Sequence, residues 1–148
     1  MTTTQIRRST ADDLDALVGL GAEYCDADGH VFDEDTVRAG FAGVVADDTH
    51  GVALVAELDG NLIGYAVISW GWSIEIGGLD VVLDEIYVRP KGLGIGGALL
   101  SAAVAACRAK GAKRVFLETE PDNDRARRWY SSVGFEIEPS IWMSKELD

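Results

Sequence analysis

The sequence predicts an α/β fold built as one domain, and three observations carry that reading. Runs rich in β-branched and aliphatic residues alternate with segments whose apolar residues recur at helical spacing. A glycine-rich loop joins one of those strand-like runs to an Ala-rich helix. The chain has 148 residues, 47% of them hydrophobic, which is enough for one core, and no Pro/Gly/Ser-rich linker divides it.

The elements follow in the order β-α-α-β-β-β-α-β-α-β-β. Gln5 to Arg8 reads as a short strand, and Thr10 with Asp13 three residues on has the form of a capping box. Leu14, Leu17, Val18 and Gly21 then keep helical spacing, and Cys25 to Phe32 reads as a loop carrying Asp26, Asp28 and His30. Asp33, Glu34 or Asp35 can cap a second helix with the stripe Val37, Phe41, Val44 and Val45. Val52 to Leu58 and Leu62 to Trp70 form strands about the turn Asp59-Gly60-Asn61. Gly71 to Asp80 is ambiguous, and Val81 to Val88 is a further strand. After the glycine loop, Lys91 to Gly97, the Ala-rich helix closes at Gly111. Val115 to Thr119 is a strand, and Pro121-Asp122-Asn123 opens a helix with the stripe Ala126, Trp129, Tyr130 and Val133 that closes at Gly134. Phe135 to Ile137 and Ile141 to Lys145 read as two last strands.

Composition removes several classes of function. No apolar run approaches the roughly 20 residues of a membrane span. The opening MTTTQIRRST lacks the apolar core of a signal peptide, so a cytoplasmic location is expected and no membrane partner. Two cysteines, Cys25 and Cys107, are no disulfide framework, and Cys107 fits a small core position. Acidic residues outnumber basic ones by 25 to 13, a net charge of -12, which disfavours nucleic acid and favours a cationic small substrate. His30 and His50 read as surface residues, and no Cys/His cluster suggests a metal.

Gly92, Gly94, Gly96 and Gly97 lie between a strand and a helix. Glycine lets backbone N–H groups approach a ligand, and a helix start adds free N–H groups and a positive dipole end, so the junction suits a pyrophosphate. The loop alone does not choose the ligand. Gly92, Gly94 and Gly97 satisfy G-x-G-x-x-G, and Glu118 falls about 20 residues later, where a nicotinamide dinucleotide fold places its ribose-binding acid. Against that reading, the fingerprint normally opens its domain, and too little chain follows Glu118 for the remaining βαβ units. A nucleoside-triphosphate P-loop is excluded because no Lys-Ser or Lys-Thr follows the glycines.

Lys91-Gly92-Leu93-Gly94-Ile95-Gly96 resembles the central motif Arg/Gln-x-x-Gly-x-Gly/Ala of the GCN5-related N-acetyltransferase (GNAT) family. Asp84-Glu85-Ile86-Tyr87-Val88 is similar to that family's fourth strand. Asn123, Ala126, Tyr130, Gly134 and Phe135 match every position of its second signature, Asn-x-x-Ala-x-x-x-Tyr-x-x-x-Gly-Phe. The similarity covers essentially the whole chain. Trp70 to Gly78 is similar to the same stretch in a subgroup of small bacterial members. One departure stands out: Lys91 follows Pro90 directly and is Lys rather than Arg, so a point charge replaces a planar fork.

The resemblance implies a mixed, mostly antiparallel central sheet of six to seven strands with about four helices, whose fourth and fifth strands splay apart to hold acetyl-CoA. It implies an acetyl-CoA-dependent N-acetyltransferase acting on a primary amine of a small molecule or peptide by direct attack in a ternary complex. A non-catalytic acyl-CoA-sensing module on the same fold is the alternative from another class. Lys91 to Gly97, with Ile86, Tyr87 and Val88, would hold the cofactor, and Asn123 would serve it or cap its own helix. Tyr130 would lie beside the CoA sulfur and protonate the departing thiolate. The attacking amine must lose a proton, and Glu85 and Glu118 are the leading bases, with Asp84 and Glu75 behind them. The family commonly pairs subunits, and Trp70 and Trp72 beside a Gly-rich segment suggest the contact of a homodimer.

Overall fold

The computed structural model describes residues 3–148, which fall into two compact units meeting in sequence at Leu117 and Glu118. The first unit holds β1 (Gln5–Arg8), α1 (Leu14–Asp28), α2 (Glu34–Val45), β2 (Gly51–Leu58), β3 (Asn61–Ser69), β4 (Trp72–Ser73), β5 (Gly78–Val88), α3 (Ile95–Lys110) and β6 (Arg114–Phe116). The strands run in the order β1-β2-β3-β5-β4, all antiparallel, and β6 joins β5 in parallel. This is the mixed, mostly antiparallel sheet that the family resemblance implies.

Local chemistry sets the helix ends. The Asp13 carboxylate accepts the Thr10 N–H at 2.8 Å and receives two bonds from the Arg7 guanidinium, at 2.8 and 2.9 Å. That fork ties β1 to the entry of α1 and holds the Asp13 carboxyl below the usual carboxylate range. Asp33 caps α2 by accepting the Asp35 N–H at 3.2 Å. Helix α1 continues to Asp28, so Cys25, Asp26 and Asp28 lie on a helix and not in the loop expected from the sequence. Nothing between Gly21 and Asp28 breaks a helix, and the chain stops where Gly29 takes φ 73°.

The sheet carries a helical layer on each face. Helices α1 and α2 bring Leu17, Leu20 and Phe41 onto Ala53, Val55, Tyr65 and Val67. Helix α3 buries Leu99, Leu100 and Ala103 against the opposite face, where Leu99 approaches Gly64 of β3. A bulge crosses this arrangement. Val67 pairs with Glu85 but its neighbour Ile68 pairs with Leu83, so Asp84 is one extra residue on β5. Because adjacent residues of β3 face opposite ways, Glu85 shares a face with Tyr87 but not with Leu83. Strict alternation, which groups Glu85 with both, fails at this point.

Strand β6 pairs only with Asp80, Val81 and Val82. Beyond Val82 that edge of β5 pairs with no other strand among the described residues. Asp80, largely buried, is held by the Arg114 guanidinium at 2.9 and 2.6 Å, which fixes the start of β6.

The second unit contains α4 (Asp124–Ser132) and otherwise irregular chain. Asn123 caps α4 by accepting the Ala126 N–H at 3.1 Å. The Arg127 guanidinium folds the preceding turn by donating to the carbonyls of Glu120 and Pro121, at 2.6 and 2.8 Å, and to Asp124. The two last strands expected from the sequence, at 135–137 and 141–145, are not formed, and Ile137, Ile141 and Met143 are exposed. Their alternating apolar residues have no paired neighbour strand, and a lone strand is not stable in water.

Candidate functional site

In the first unit the predicted glycine loop has the geometry of an anion cradle. It leaves β5 through a cis Arg89–Pro90 bond, and Gly92 and Gly94 take φ 89° and 76°, which L side chains rarely adopt. Gly94 is the N-cap of α3 and offers no side chain to the helix end. The first intrahelical bond runs from the Ala98 N–H to the Gly94 carbonyl at 3.1 Å, so the N–H groups of Ile95, Gly96 and Gly97 face beyond the helix. A Cβ placed on Gly92, Gly94 or Gly97 would meet no heavy atom within 4 Å. This open space beside free N–H groups fits a pyrophosphate. The Ile95 side chain is buried in the core of α3, so only its backbone is available. Lys91 and Leu93 are exposed.

The loop adjoins the unpaired edge of β5, where Ile86, Tyr87 and Val88 lie half-buried. Alternate backbone N–H and C=O groups of a strand point to each side, so this edge presents hydrogen-bonding groups to an extended ligand. The Tyr87 side chain turns towards α1 and its hydroxyl donates to Glu23 Oε1 at 3.2 Å, while Arg89 Nε bonds the same oxygen at 2.8 Å.

The bulge brings Glu85 to the face of Tyr65, whose hydroxyl donates to Glu85 Oε1 at 2.7 Å. Burial raises the Glu85 carboxyl above its ordinary range, the Tyr65 hydrogen bond pulls it down, and the neighbouring Asp84 charge pushes it up again. Burial and the adjacent Glu85 charge keep the Tyr65 phenol protonated far above neutral pH. Asp84 itself is exposed on the bulge, and Glu75 is exposed in the turn between β4 and β5. The sequence reading missed Tyr65. Its signal was present, since a tyrosine amid the aliphatic residues of β3 brings a hydroxyl that needs a partner once buried. Cys25, half-buried on α1, is a free thiol raised by burial, then by the Glu85 and Asp28 charges.

In the second unit Tyr130 is half-buried on α4. Its ring stands edge-on to Phe135 at 5.5 Å and tilted to Trp129 at 4.9 Å. Burial pushes its phenol up to about 12, so it stays protonated through neutral pH. Asn123 has its carbonyl oxygen engaged in the helix cap. Glu118 is exposed and lies past the end of β6, off the strand to which the sequence assigned it. Of the expected interface aromatics, Trp70 is engaged within its own chain. Its Nε1 donates to the Asp48 carbonyl at 2.8 Å and Lys110 Nζ lies 5.3 Å from its ring. Trp72 is 74% exposed, and Ile74 beside it is bare. No helix of the described residues is long and apolar enough to cross a membrane.

Comparison with known proteins agrees with this geometry. Residues 17–135 match the acetyltransferase (GNAT) family. An uncharacterized N-acetyltransferase of Mycobacterium tuberculosis is 34% identical over 107 residues, covering 71% of this chain and 65% of that protein. The chain therefore spans less than two thirds of that relative's length. An uncharacterized N-acetyltransferase of Archaeoglobus fulgidus is 31% identical over 133 residues, covering 86% of this chain and 90% of its own. The solved structure of the aminoglycoside N-acetyltransferase AAC(6')-Iy in complex with CoA superimposes with a TM-score of 0.82 at 21% identity, covering 99% of this chain and 96% of the other, and so shares the fold. These matches displace the nicotinamide dinucleotide reading of the glycine loop. The chain belongs to the acetyltransferase (GNAT) family.

Proposed function

We propose that this protein transfers an acetyl group from acetyl-CoA to a primary amine of a small molecule or peptide, by direct attack in a ternary complex. The observation that carries the proposal is a juxtaposition in the first unit. An open glycine cradle at the start of α3 adjoins an unpaired strand edge whose bulge holds a half-buried carboxyl, Glu85. The cradle suits the pyrophosphate of CoA and the edge of Ile86 to Val88 suits its pantetheine arm. The family match crosses both units, which favours one N-acetyltransferase domain made from the two.

Acetyl-CoA supplies an activated thioester. Glu85 takes the proton that the amine nitrogen must lose as it bonds the carbonyl carbon, and burial suits it to that role by raising its proton affinity. Glu118, exposed and lying past the end of β6, is the weaker base candidate. Tyr130 gives its phenolic proton to the sulfur as the carbon–sulfur bond breaks, a role that rests on the family signature and on a phenol held protonated. A sensing module without catalysis would not need a half-buried carboxyl at the unpaired edge of β5, so the enzyme reading is preferred.

The acceptor is proposed to be cationic, because the chain carries a net charge of -12. A cytoplasmic location is supported by the two free cysteines. A homodimer using the face around Trp72 and Ile74 is supported by their exposure.

The test is CoA release from acetyl-CoA over a panel of polyamines, aminoglycosides, amino acids and N-terminal peptides. Turnover should favour basic acceptors and weaken with added salt. Glu85→Gln should lower kcat/KM by about 10²–10⁴-fold. Acetyl-CoA binding without release of CoA to any amine would leave the sensing module standing.

A further inference from the structure

We propose that Tyr65 is a positioning residue for the base: its hydroxyl fixes the Glu85 carboxylate and reserves the second oxygen for the amine's proton. The inference rests on the reading of Glu85 as base.

Tyr65 is 0% exposed at the centre of β3. Its ring stands edge-on to Phe41 at 5.2 Å and 6.3 Å from the Tyr87 ring, so aromatic neighbours fix its plane. From that fixed ring the hydroxyl donates to Glu85 Oε1 at 2.7 Å. A carboxylate held at one oxygen cannot swing, and Oε2 is the oxygen left to accept a proton. The bond also favours the ionised form, because a phenol donates better to a carboxylate than to a carboxylic acid. A base must be ionised before it can take a proton, and burial works against that state. Tyr65 therefore offsets part of the effect of burial.

Other groups act on the same carboxylate. Asp84 lies beside it on β5 and raises its proton affinity. Cys25 and Asp28 on α1, with His30 just beyond, face it from the packed helix, and Asp28 and His30 act in opposite directions. None of these is changed by removing the Tyr65 hydroxyl.

The experiment is Tyr65→Phe, which keeps the ring. Isotope-edited NMR follows the Glu85 carboxyl through a pH titration, and the acid limb of kcat/KM is measured with the fastest acceptor of the panel. Losing one hydrogen bond to a charged acceptor should move both the Glu85 midpoint and the acid limb up by about one to two pH units. The rate lost at neutral pH should return as the pH is raised, with KM for acetyl-CoA unchanged. A fluorinated tyrosine at the same position is a stronger donor and should move the limb the other way. If Tyr65 served only packing, the variant would melt earlier while the midpoint and limb stayed in place, and that result would overturn the proposal. Full activity in Glu85→Gln would instead remove Glu85 as base, a distinct failure. Should Tyr65→Phe fold poorly, the fluorinated protein decides alone, since an unmoved midpoint there also overturns the proposal.

Discussion

In the proposed reaction two protons run in opposite directions, and Glu85 and Tyr130 differ in the way that this would demand. Glu85 is an acid whose burial is countered by a donor, Tyr65, so it can ionise and then accept. Tyr130 has burial and no charged donor among the causes of its shift, so it holds its proton through neutral pH. Tyr130→Phe should therefore keep its place between Trp129 and Phe135 while kcat falls by about 10²–10⁴-fold with KM for acetyl-CoA unchanged. A phenol pushed up to about 12 also gives the wild-type enzyme no alkaline limb from this group between pH 6 and 9. Stopped-flow measurement of CoA release across that range checks both statements, and wild-type kcat in the variant would take Tyr130 out of the mechanism. The place of Tyr130 on α4 was legible in the sequence because a motif with fixed spacing runs from Asn123 to Phe135 within one helix and its end. Tyr65 was not, because its partner is 20 residues away in the chain and meets it only through a register set by tertiary pairing.

At the scale of elements, the glycine loop and α3 were the most legible part, because their signals are local. Glycines, a following Ala-rich run and Gly111 define where the helix begins and stops. The extent of α1 and the fate of the last strands were less so. A helix runs until something stops it, and a strand needs a neighbour that no local pattern supplies. The loop also allows a cleaner test than a substitution at Gly94, where φ 76° would strain any side chain with or without a ligand. Gly97 has ordinary helical backbone and open space around its missing Cβ. Gly97→Leu should stabilise α3 by about 0.5–1 kcal/mol while placing a side chain in the proposed pyrophosphate site. Calorimetry should then find acetyl-CoA bound at least about tenfold more weakly, equivalent to about 1.4 kcal/mol. A more stable protein that binds as tightly as wild type would move the cofactor away from this cradle.

For the molecule as a whole, length and composition pointed to an acidic chain with enough apolar residues for one core, and charge and length are properties that folding does not alter. Quaternary structure is different, because it depends on which apolar residues remain outside. Trp70 reads like Trp72 in the sequence, yet one is engaged by Asp48 and Lys110 and the other stands open. Light scattering at micromolar concentration should return twice the 15.9 kDa chain mass, and Trp72→Ser should return the chain mass. A wild-type monomer would refute the dimer. The bulge at Asp84 has its own consequence at this scale. It is a change of parity: before it, odd-numbered side chains of β5 enter the α3 layer, and after it even-numbered ones do. Deleting that one residue would restore an unbroken ladder and leave the Glu85 carboxyl opposite Val67, whereas strict alternation through residues 83–85 would deliver it into the aliphatic layer under α3. The register of β5 on β3, as much as the identity of its residues, therefore decides which layer receives the carboxyl.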